Sequence, residues 1–294
     1  MVGYRVALVG DNESQTTKSE RVLAATLAES FEVTTVSWQN KQVQWADYDA
    51  VVLRTCWNYY NHINDFLDWL SESEATGVRL MNSAQVVRWN AYKNYLFDLK
   101  AKDVPVIDTV LVPRDVQHQH DPARFQAGSV IVKPCYGADS YEVQRISNHA
   151  VSEVNQAVQG MQTTSDVLIQ PYLLEAREEL SFIFIGGQYS HAVKKQSRHD
   201  DFVRSGLETL YQPPSSVVSE AAHMVQLVDE PLLYARVDAV VVGGVLTLME
   251  LELIEPFLYF DIYPVAAVRF REALGKKLAN NARLQSRRDA SIRI

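Results

Sequence analysis

The stretch YARVDAVVVGGVLTLMELELI, residues 234–254, limits the fold most. Two runs rich in β-branched and apolar residues are separated only by Gly243-Gly244, and such a link is a hairpin signal because both turn positions need positive φ. The second strand then folds back antiparallel on the first. Residues two apart share a face of a strand. Glu250 and Glu252 therefore point one way and Leu251 and Leu253 the other. Asp238 lies in the preceding strand, and Arg236, two residues earlier, shares its face. Three carboxylates are thus expected to crowd one side of a sheet, where like charges across strands destabilise unless solvent or a cation intervenes.

Three resolutions are open. The strand can be amphipathic with its glutamates in water, Arg236 can serve as a structural counter-ion, or Asp238, Glu250 and Glu252 can bind Mg²⁺. A hard divalent cation takes oxygen ligands, usually one or two carboxylates plus substrate phosphates. Glu255 is an odd number of residues from Glu252, so alternation points it elsewhere, to fix the Pro256 turn or to line a substrate pocket.

The chain has 294 residues, 47% hydrophobic and 22% charged, which suits two domains, or one large domain with an added lobe, around a substantial core. With a formal charge of −8 and no Lys/Arg-rich block, a nucleic-acid partner is not expected. The two cysteines, Cys56 and Cys135, are too few for a disulfide framework or a zinc site and suit a reducing compartment. The opening apolar run is short and no membrane-length apolar stretch follows, so a cytoplasmic protein is expected.

Residues 4–10, 31–38 and 50–53 have strand composition, and the spacing predicts helices over 19–30 and 63–71, the pattern of a small parallel sheet. One helix is expected from Asn82-Ser83 through Asp103. Short strands over 109–112, 129–134, 143–146 and 166–172, with a helix over 150–161, describe an α+β lobe. LSFIFIGGQYSHAVKK then reads as one long strand, 216–228 as a helix, and the C-terminal KLANNARLQSRRDASIRI as a polar tail.

Two lysines bear on an anionic ligand. Lys133 interrupts the apolar strand SVIVKP and is expensive to bury unless it meets an anion or reaches back to water. The following CYGADS is a short loop able to lie over phosphates. Lys93 sits in the helical connector. In VLIQPYLLEAREELS, residues 167–181, backbone along Gln170–Leu173 could pair with a flat heterocycle, and Glu179 could accept ribose hydroxyls; surface glutamates after a turn are the plain alternative.

The order of these parts resembles the ATP-grasp superfamily. RWNAYKNYLFDL, VIVKP, IQPYL, SHAVKK, YARVD and MELELIEPFLY are similar to its glutathione-synthetase-like branch, which includes the D-cycloserine-forming cycloligase, and VVLRTCWNYY resembles that branch's N-terminal substrate-facing segment. The resemblance spans nearly the whole chain. It implies an α/β (α+β) ATP-grasp fold: an N-terminal Rossmann-like parallel-sheet domain over 1–105, a central small lobe over 106–175, and a C-terminal lobe with the metal site over 176–294. The two α+β lobes would clasp ATP.

Carried over by position, the resemblance places Lys93 and Lys133 on the α- and β-phosphates, with Gly137 and Ser140 in the phosphate loop. Gln170, Tyr172 and Leu173 would line the adenine hinge and Glu179 the ribose. Asp238, Glu250 and Glu252 would bind two Mg²⁺ ions, with Mn²⁺ as a substitute, and Arg236 would steady the transferred phosphoryl group. His191, Lys195 and Arg54 would face the γ-phosphate or substrate, and Asn58 and Arg204 the substrate.

The chain departs from the branch at several positions. Glu252 stands where asparagine is frequent, Glu178-Glu179 where Gly-Glu is usual, and Trp57-Asn58-Tyr59 in place of Trp-Asp-Tyr; DDFVRSG also differs in spacing. The last two lie on the substrate side. The activity implied is an ATP-dependent carboxylate–amine ligase, intermolecular or intramolecular, acting on a small amino-acid-like substrate through an acyl phosphate. The CYGADS and 197–212 loops would close as lids, and a homodimer is common in such enzymes. A small-molecule kinase or a nucleotide-binding regulatory protein on the same fold are the alternatives. Arg236 and the three carboxylates speak against the second.

Overall fold

Three sheets, each with its own helices, meet along the connector that follows the first of them. The computed structural model describes residues 3–12, 16–125, 128–138, 141–148, 150–173, 178–196 and 208–292. Strands β1 (Arg5–Gly10), β2 (Glu32–Ser37), β3 (Ala50–Thr55) and β4 (Leu80–Met81) form a parallel sheet of order β2-β1-β3-β4. Helices α1 (Lys18–Ala28) and α2 (Ile63–Ala75) are the crossovers that parallel pairing requires. Thr17 caps α1 by accepting from the Glu20 amide.

The connector is two helices rather than one: α3 (Ala84–Ala91) and α4 (Tyr95–Lys100). Helical spacing runs through the break, but Tyr92 is extended (φ −105°, ψ 114°). The Lys93 amide leaves the helical ladder to donate to Cys135 O at 3.0 Å. A tertiary hydrogen bond thus overrides local periodicity.

Strands β5 (Val110–Val112), β6 (Ser129–Pro134), β7 (Gln144–Ser147) and β8 (Val167–Pro171) make an antiparallel sheet of order β5-β8-β6-β7, covered by α5 (Val151–Met161). The largest sheet has order β11-β10-β9-β12-β13, from β9 (Glu178–Ile185), β10 (Gln188–Gln196), β11 (Glu208–Tyr211), β12 (Tyr234–Val242) and β13 (Val245–Glu252), with α6 (Ser215–Gln226) on one face. The run expected as one strand over 180–195 is two, because Gly186 and Gly187 at φ 59° and 75° turn the chain. The same device works at Gly243 and Gly244, at φ 57° and 86°, as the sequence indicates.

Leu246 and Leu248 are an even number of residues from Glu250, so strict alternation would put them among the glutamates. A bulge resolves the conflict: Asp238 pairs with Glu250 but Ala239 with Leu248, leaving Met249 as the extra residue. Leu246, Leu248, Leu251 and Leu253 all enter the core facing α4 and α6. On the other face Ile183, Ile185, Val193 and Tyr234 pack with the first sheet and α7 (Val265–Ile292) through Ala266, Phe270, Leu274 and Leu278. The apolar stripe lies in the first half of α7, and the helix runs on through most of the segment read as a polar tail. Among the described residues, no helix is long and apolar enough to cross a membrane.

Candidate active site

The site-bearing face of the large sheet is set by register. Asp238 lies opposite Glu250 and Ser181, Arg236 opposite Glu252, and Lys195 opposite Glu179. Each carboxylate has found a donor. Arg236 Nε lies 3.0 Å from both Asp238 oxygens, its Nη2 reaches Asp238 Oδ2 at 2.8 Å and also bonds Glu252, and Ser181 Oγ donates to Asp238. Lys195 Nζ is 2.5 Å from Glu179 and 3.6 Å from Asp238.

Burial and opposed charges pull these groups in different directions. Burial alone would raise Asp238, but Arg236 and Lys195 hold it well below the usual carboxylate range. Burial also opposes ionisation of Glu250, yet Lys93 and then Lys133 hold it low. Glu252 is pushed up to about 8 by burial and by Asp238, Glu250 and Glu255, against the pull of Arg236. Negative charge is therefore in excess at Glu252, the place where a further cation would relieve it.

Lys93 arrives from the broken connector. Its Nζ donates to Gly137 O at 2.7 Å and to Glu250. The connector is fixed by side chains that satisfy the open edge of β13. Asn90 Nδ2 donates to Leu251 O (2.7 Å) and accepts from Leu253 N (2.8 Å), while Tyr95 Oη accepts from Leu251 N (3.0 Å). Asn82 Nδ2 donates to Tyr234 O and Leu253 O, and its Oδ1 accepts from Leu233 N. Asn90 and Tyr95 were not singled out by sequence reasoning, and Asn82 only as a helix start, where Ser83 is the cap. A buried asparagine inside a helical pattern is the signal that could have found Asn90, since it needs partners beyond its own helix.

Lys133, on β6, has no ion-pair partner within 4 Å among the described residues. Lys133 is half-buried, and burial lowers its proton affinity, partly offset by Glu250. Gln170 is buried in β8 and donates to Thr109 Oγ1 at 2.9 Å. The Tyr172 amide donates to Ser129 O, and Arg145 lies 3.9 Å over the Tyr172 ring. Leu173 beside it is half-buried. Tyr136 and Ala138 pack against the aromatic cluster of the first sheet, and Tyr141 contacts Tyr60 ring to ring at 4.5 Å. Ser140, Arg204 and most of the 197–212 loop lie outside the described residues.

On the N-terminal side, Arg54 is fully buried. It donates to both Glu20 oxygens (3.2 and 2.7 Å) and to Pro256 O (2.9 Å), over the rings of Tyr234 and Phe260. Its Nη1 has no partner among the described residues. Asn58 accepts from Trp38 Nε1, donates to Gln39, and takes Asp11 on its amide. His191 is buried against Tyr263 at 4.9 Å between ring centroids, with Nδ1 3.1 Å from Ser190 Oγ. Burial and Arg269 push it down to about 4, so it is neutral at pH 7. Glu255 lies past the end of β13, where alternation no longer applies. Its buried carboxyl is pushed up to about 7 by burial, with Lys93 pulling down and Glu250 pushing up.

These donors suit a hard cation: they are oxygens only, and the Glu250 and Glu252 side chains keep 29% and 26% of their surface open. Among the described residues, no three His, Cys, Asp or Glu side chains close into a metal cage by themselves. Mg²⁺ needs none, since it is held by one or two carboxylates together with phosphates.

The architecture is shared with solved structures. D-alanine–D-alanine ligase from Bacillus anthracis, complexed with ATP, matches with a TM-score of 0.66 at 15% identity over 98% of this chain and 100% of that one. The ATP-grasp ligase PsnB, complexed with a precursor variant, Mg and ADP, matches with a TM-score of 0.59 at 16% identity, covering 92% and 99%. Fold and site together define an ATP-grasp ligase, an enzyme that forms a C–N bond.

The family profile described as D-cycloserine synthetase DcsG, N-terminal domain, matches residues 6–82. The cycloserine biosynthesis protein DcsG of Streptomyces lavendulae is 31% identical over 261 residues, 82% of this chain and 87% of that protein. The crystal structure of D-cycloserine synthetase DcsG matches with a TM-score of 0.85 at 28% identity, covering 93% and 99%. The chain belongs to the DcsG family of ATP-grasp ligases.

Proposed function

We propose that this enzyme is a carboxylate–amine ligase of the cycloligase type, acting on a small amino-acid-like substrate through an acyl phosphate. The observation that carries the reading is the in-register charged face, where Arg236, Asp238, Glu250 and Glu252 meet Lys93 and Lys195 from other elements. The DcsG kinship supports an intramolecular reaction, and O-ureido-D-serine is the first substrate to test.

Lys93, Lys133 and the Gly137–Ser140 loop bind the α- and β-phosphates; Gln170, Tyr172 and Leu173 form the adenine hinge, and Glu179 takes the ribose. Asp238, Glu250 and Glu252 hold Mg²⁺, two ions in this reading, which supplies charge neutralisation at the phosphates when bound. Arg236 and Lys195 orient the γ-phosphoryl group, and the Arg54, Asn58 and Arg204 side of the site faces the substrate.

A substrate carboxylate oxygen attacks the γ-phosphorus, the bond to the β-phosphate oxygen breaks, and ADP leaves. A hydroxylamine-type or amine nitrogen then attacks the acyl carbon. The C–N bond forms, the C–O bond to phosphate breaks, and the nitrogen's proton passes to water. Positioning and charge neutralisation suffice for the first step, so the protein needs no covalent nucleophile.

Substrate labelled with ¹⁸O in its carboxylate tests the pathway. An acyl phosphate transfers one label to inorganic phosphate; unlabelled phosphate would overturn the mechanism, and a stable phosphorylated product would make the enzyme a kinase.

A further inference from the structure

Past the end of β13 the chain runs Ile254-Glu255-Pro256-Phe257, and its four successive carbonyls each lie within reach of a side-chain donor from another element. Tyr234 Oη is 2.8 Å from Ile254 O and 2.9 Å from Leu53 O, and Trp57 Nε1 is 3.4 Å from Glu255 O. Arg54 Nη2 donates to Pro256 O at 2.9 Å, and Arg236 Nη1 to Phe257 O at 3.1 Å. Carbonyls that have left a sheet need donors, but neutral groups or water would serve. Here the last two are held by buried guanidinium groups, and burying charge is a poor way to gain stability.

The two arginines come from different sheets, Arg54 from β3 and Arg236 from β12 on the charged face. Two routes join them. Arg54 lies over the Tyr234 ring at 5.3 Å, and Tyr234 shares its strand face with Arg236, two residues on. Along the loop, Arg54 holds Pro256 O and Arg236 holds the next carbonyl, with the proline ring stiffening the chain between β13 and both contacts. Arg54 cannot swing freely, because its Nε and Nη2 also donate to the two Glu20 oxygens.

We propose that Arg54 is a positioning residue for Arg236: through Pro256 and Phe257 it sets where the Arg236 guanidinium lies on the charged face, and it touches neither substrate nor nucleotide. The inference rests on the ligase reading above, in which Arg236 orients the γ-phosphoryl group. In that reading Asp238 and Glu252 divide their charge between Arg236 and a cation, whereas Phe257 O is a neutral partner on which no cation has a claim. That carbonyl is the fixed point of the guanidinium, and a misplacement of about 1 Å costs up to about 100-fold in rate.

Arg54→Met with Glu20→Leu removes the buried charges and the donor to Pro256 O together. The expected result is a kcat lower by about 10- to 100-fold with KM for the amino-acid substrate unchanged. In the ligand-free protein the Arg236 Nε–H signal of a ¹H–¹⁵N spectrum, assigned by its loss in Arg236→Lys, should also move. Arg54→Lys keeps a cation for Glu20 but not the planar fork that serves Glu20 and Pro256 O at once, so it should show the same split, and it carries the test should the double variant not fold. A KM for the amino-acid substrate raised about tenfold or more would make Arg54 a substrate contact and overturn the proposal. An Arg236 signal that stays in place, or a kcat within about twofold of an active parent, overturns it while leaving the ligase reading intact. Absence of ATP-dependent turnover by the parent with every amino-acid substrate removes the ligase reading, and with it the catalytic half of this proposal; the Arg236 signal then still decides whether Arg54 positions Arg236.

Discussion

Lys93 and Glu250, 157 residues apart, form an ion pair that ties the connector to β13 while Lys93 also bonds the carbonyl of Gly137 in the CYGADS loop. Burial works against the lysine's charge, and Glu250 more than restores it. Glu250→Gln leaves that ammonium with a neutral partner and removes a hard oxygen donor. Mg²⁺-dependent ADP formation should fall by about 100-fold or more; near-parental turnover would remove Glu250 from the metal and phosphate site.

Lys133 is a half-buried cation with no ion-pair partner among the described residues. A phosphate that completes the pair gains a charge-assisted hydrogen bond worth about 1.5–3 kcal/mol, roughly 10- to 100-fold in affinity. Lys133→Ala should weaken ATP binding by that factor in calorimetric titration, and unchanged affinity would return the residue to a packing role.

His191 gives the protein an acid-side dependence. Its folded-state value is depressed to about 4 from 6.5 by burial and Arg269. A base with a depressed folded pKa contributes stability above its unfolded value and loses it as pH falls, here between about 6.5 and 4. The loss is on the order of 2–3 kcal/mol. Denaturant midpoints across that window should fall for the parent and flatten for His191→Gln; parallel profiles would contradict the burial of a neutral imidazole.

Arg54 and Glu20 test a buried pair. Glu20→Ala strands a fully buried guanidinium and should cost about 3–5 kcal/mol, while Glu20→Leu with Arg54→Met should recover most of it. Urea unfolding of the single and double variants measures both. A double variant as unstable as the single one would mean that Arg54 contributes through Pro256 O and the Tyr234 and Phe260 rings instead.

Much of this architecture was legible because local signals agreed with tertiary ones. The Gly243-Gly244 turn, the β6 strand carrying Lys133 and the β8 strand carrying Gln170 stand where composition puts them. Reading failed where a distant partner decides. Nothing local announces that Cys135 O will draw the Lys93 amide out of a helix, or that Met249 must bulge so that leucines on both sides stay in the core. The Gly186-Gly187 turn carried the same two-glycine signal as Gly243-Gly244 and was read through as strand.

The central claim is ATP-driven C–N bond formation within or between small amino-acid-like molecules. Its most direct test is to incubate the enzyme with Mg²⁺, ATP and a panel that includes O-ureido-D-serine, D-serine and D-alanine, measuring ADP and weighing the products. The account predicts ADP formation that depends on one of these substrates and matches a new C–N-bonded product mole for mole. ATP binding with no substrate-dependent ADP across the panel, or ADP formation yielding only a phosphorylated substrate, would contradict it.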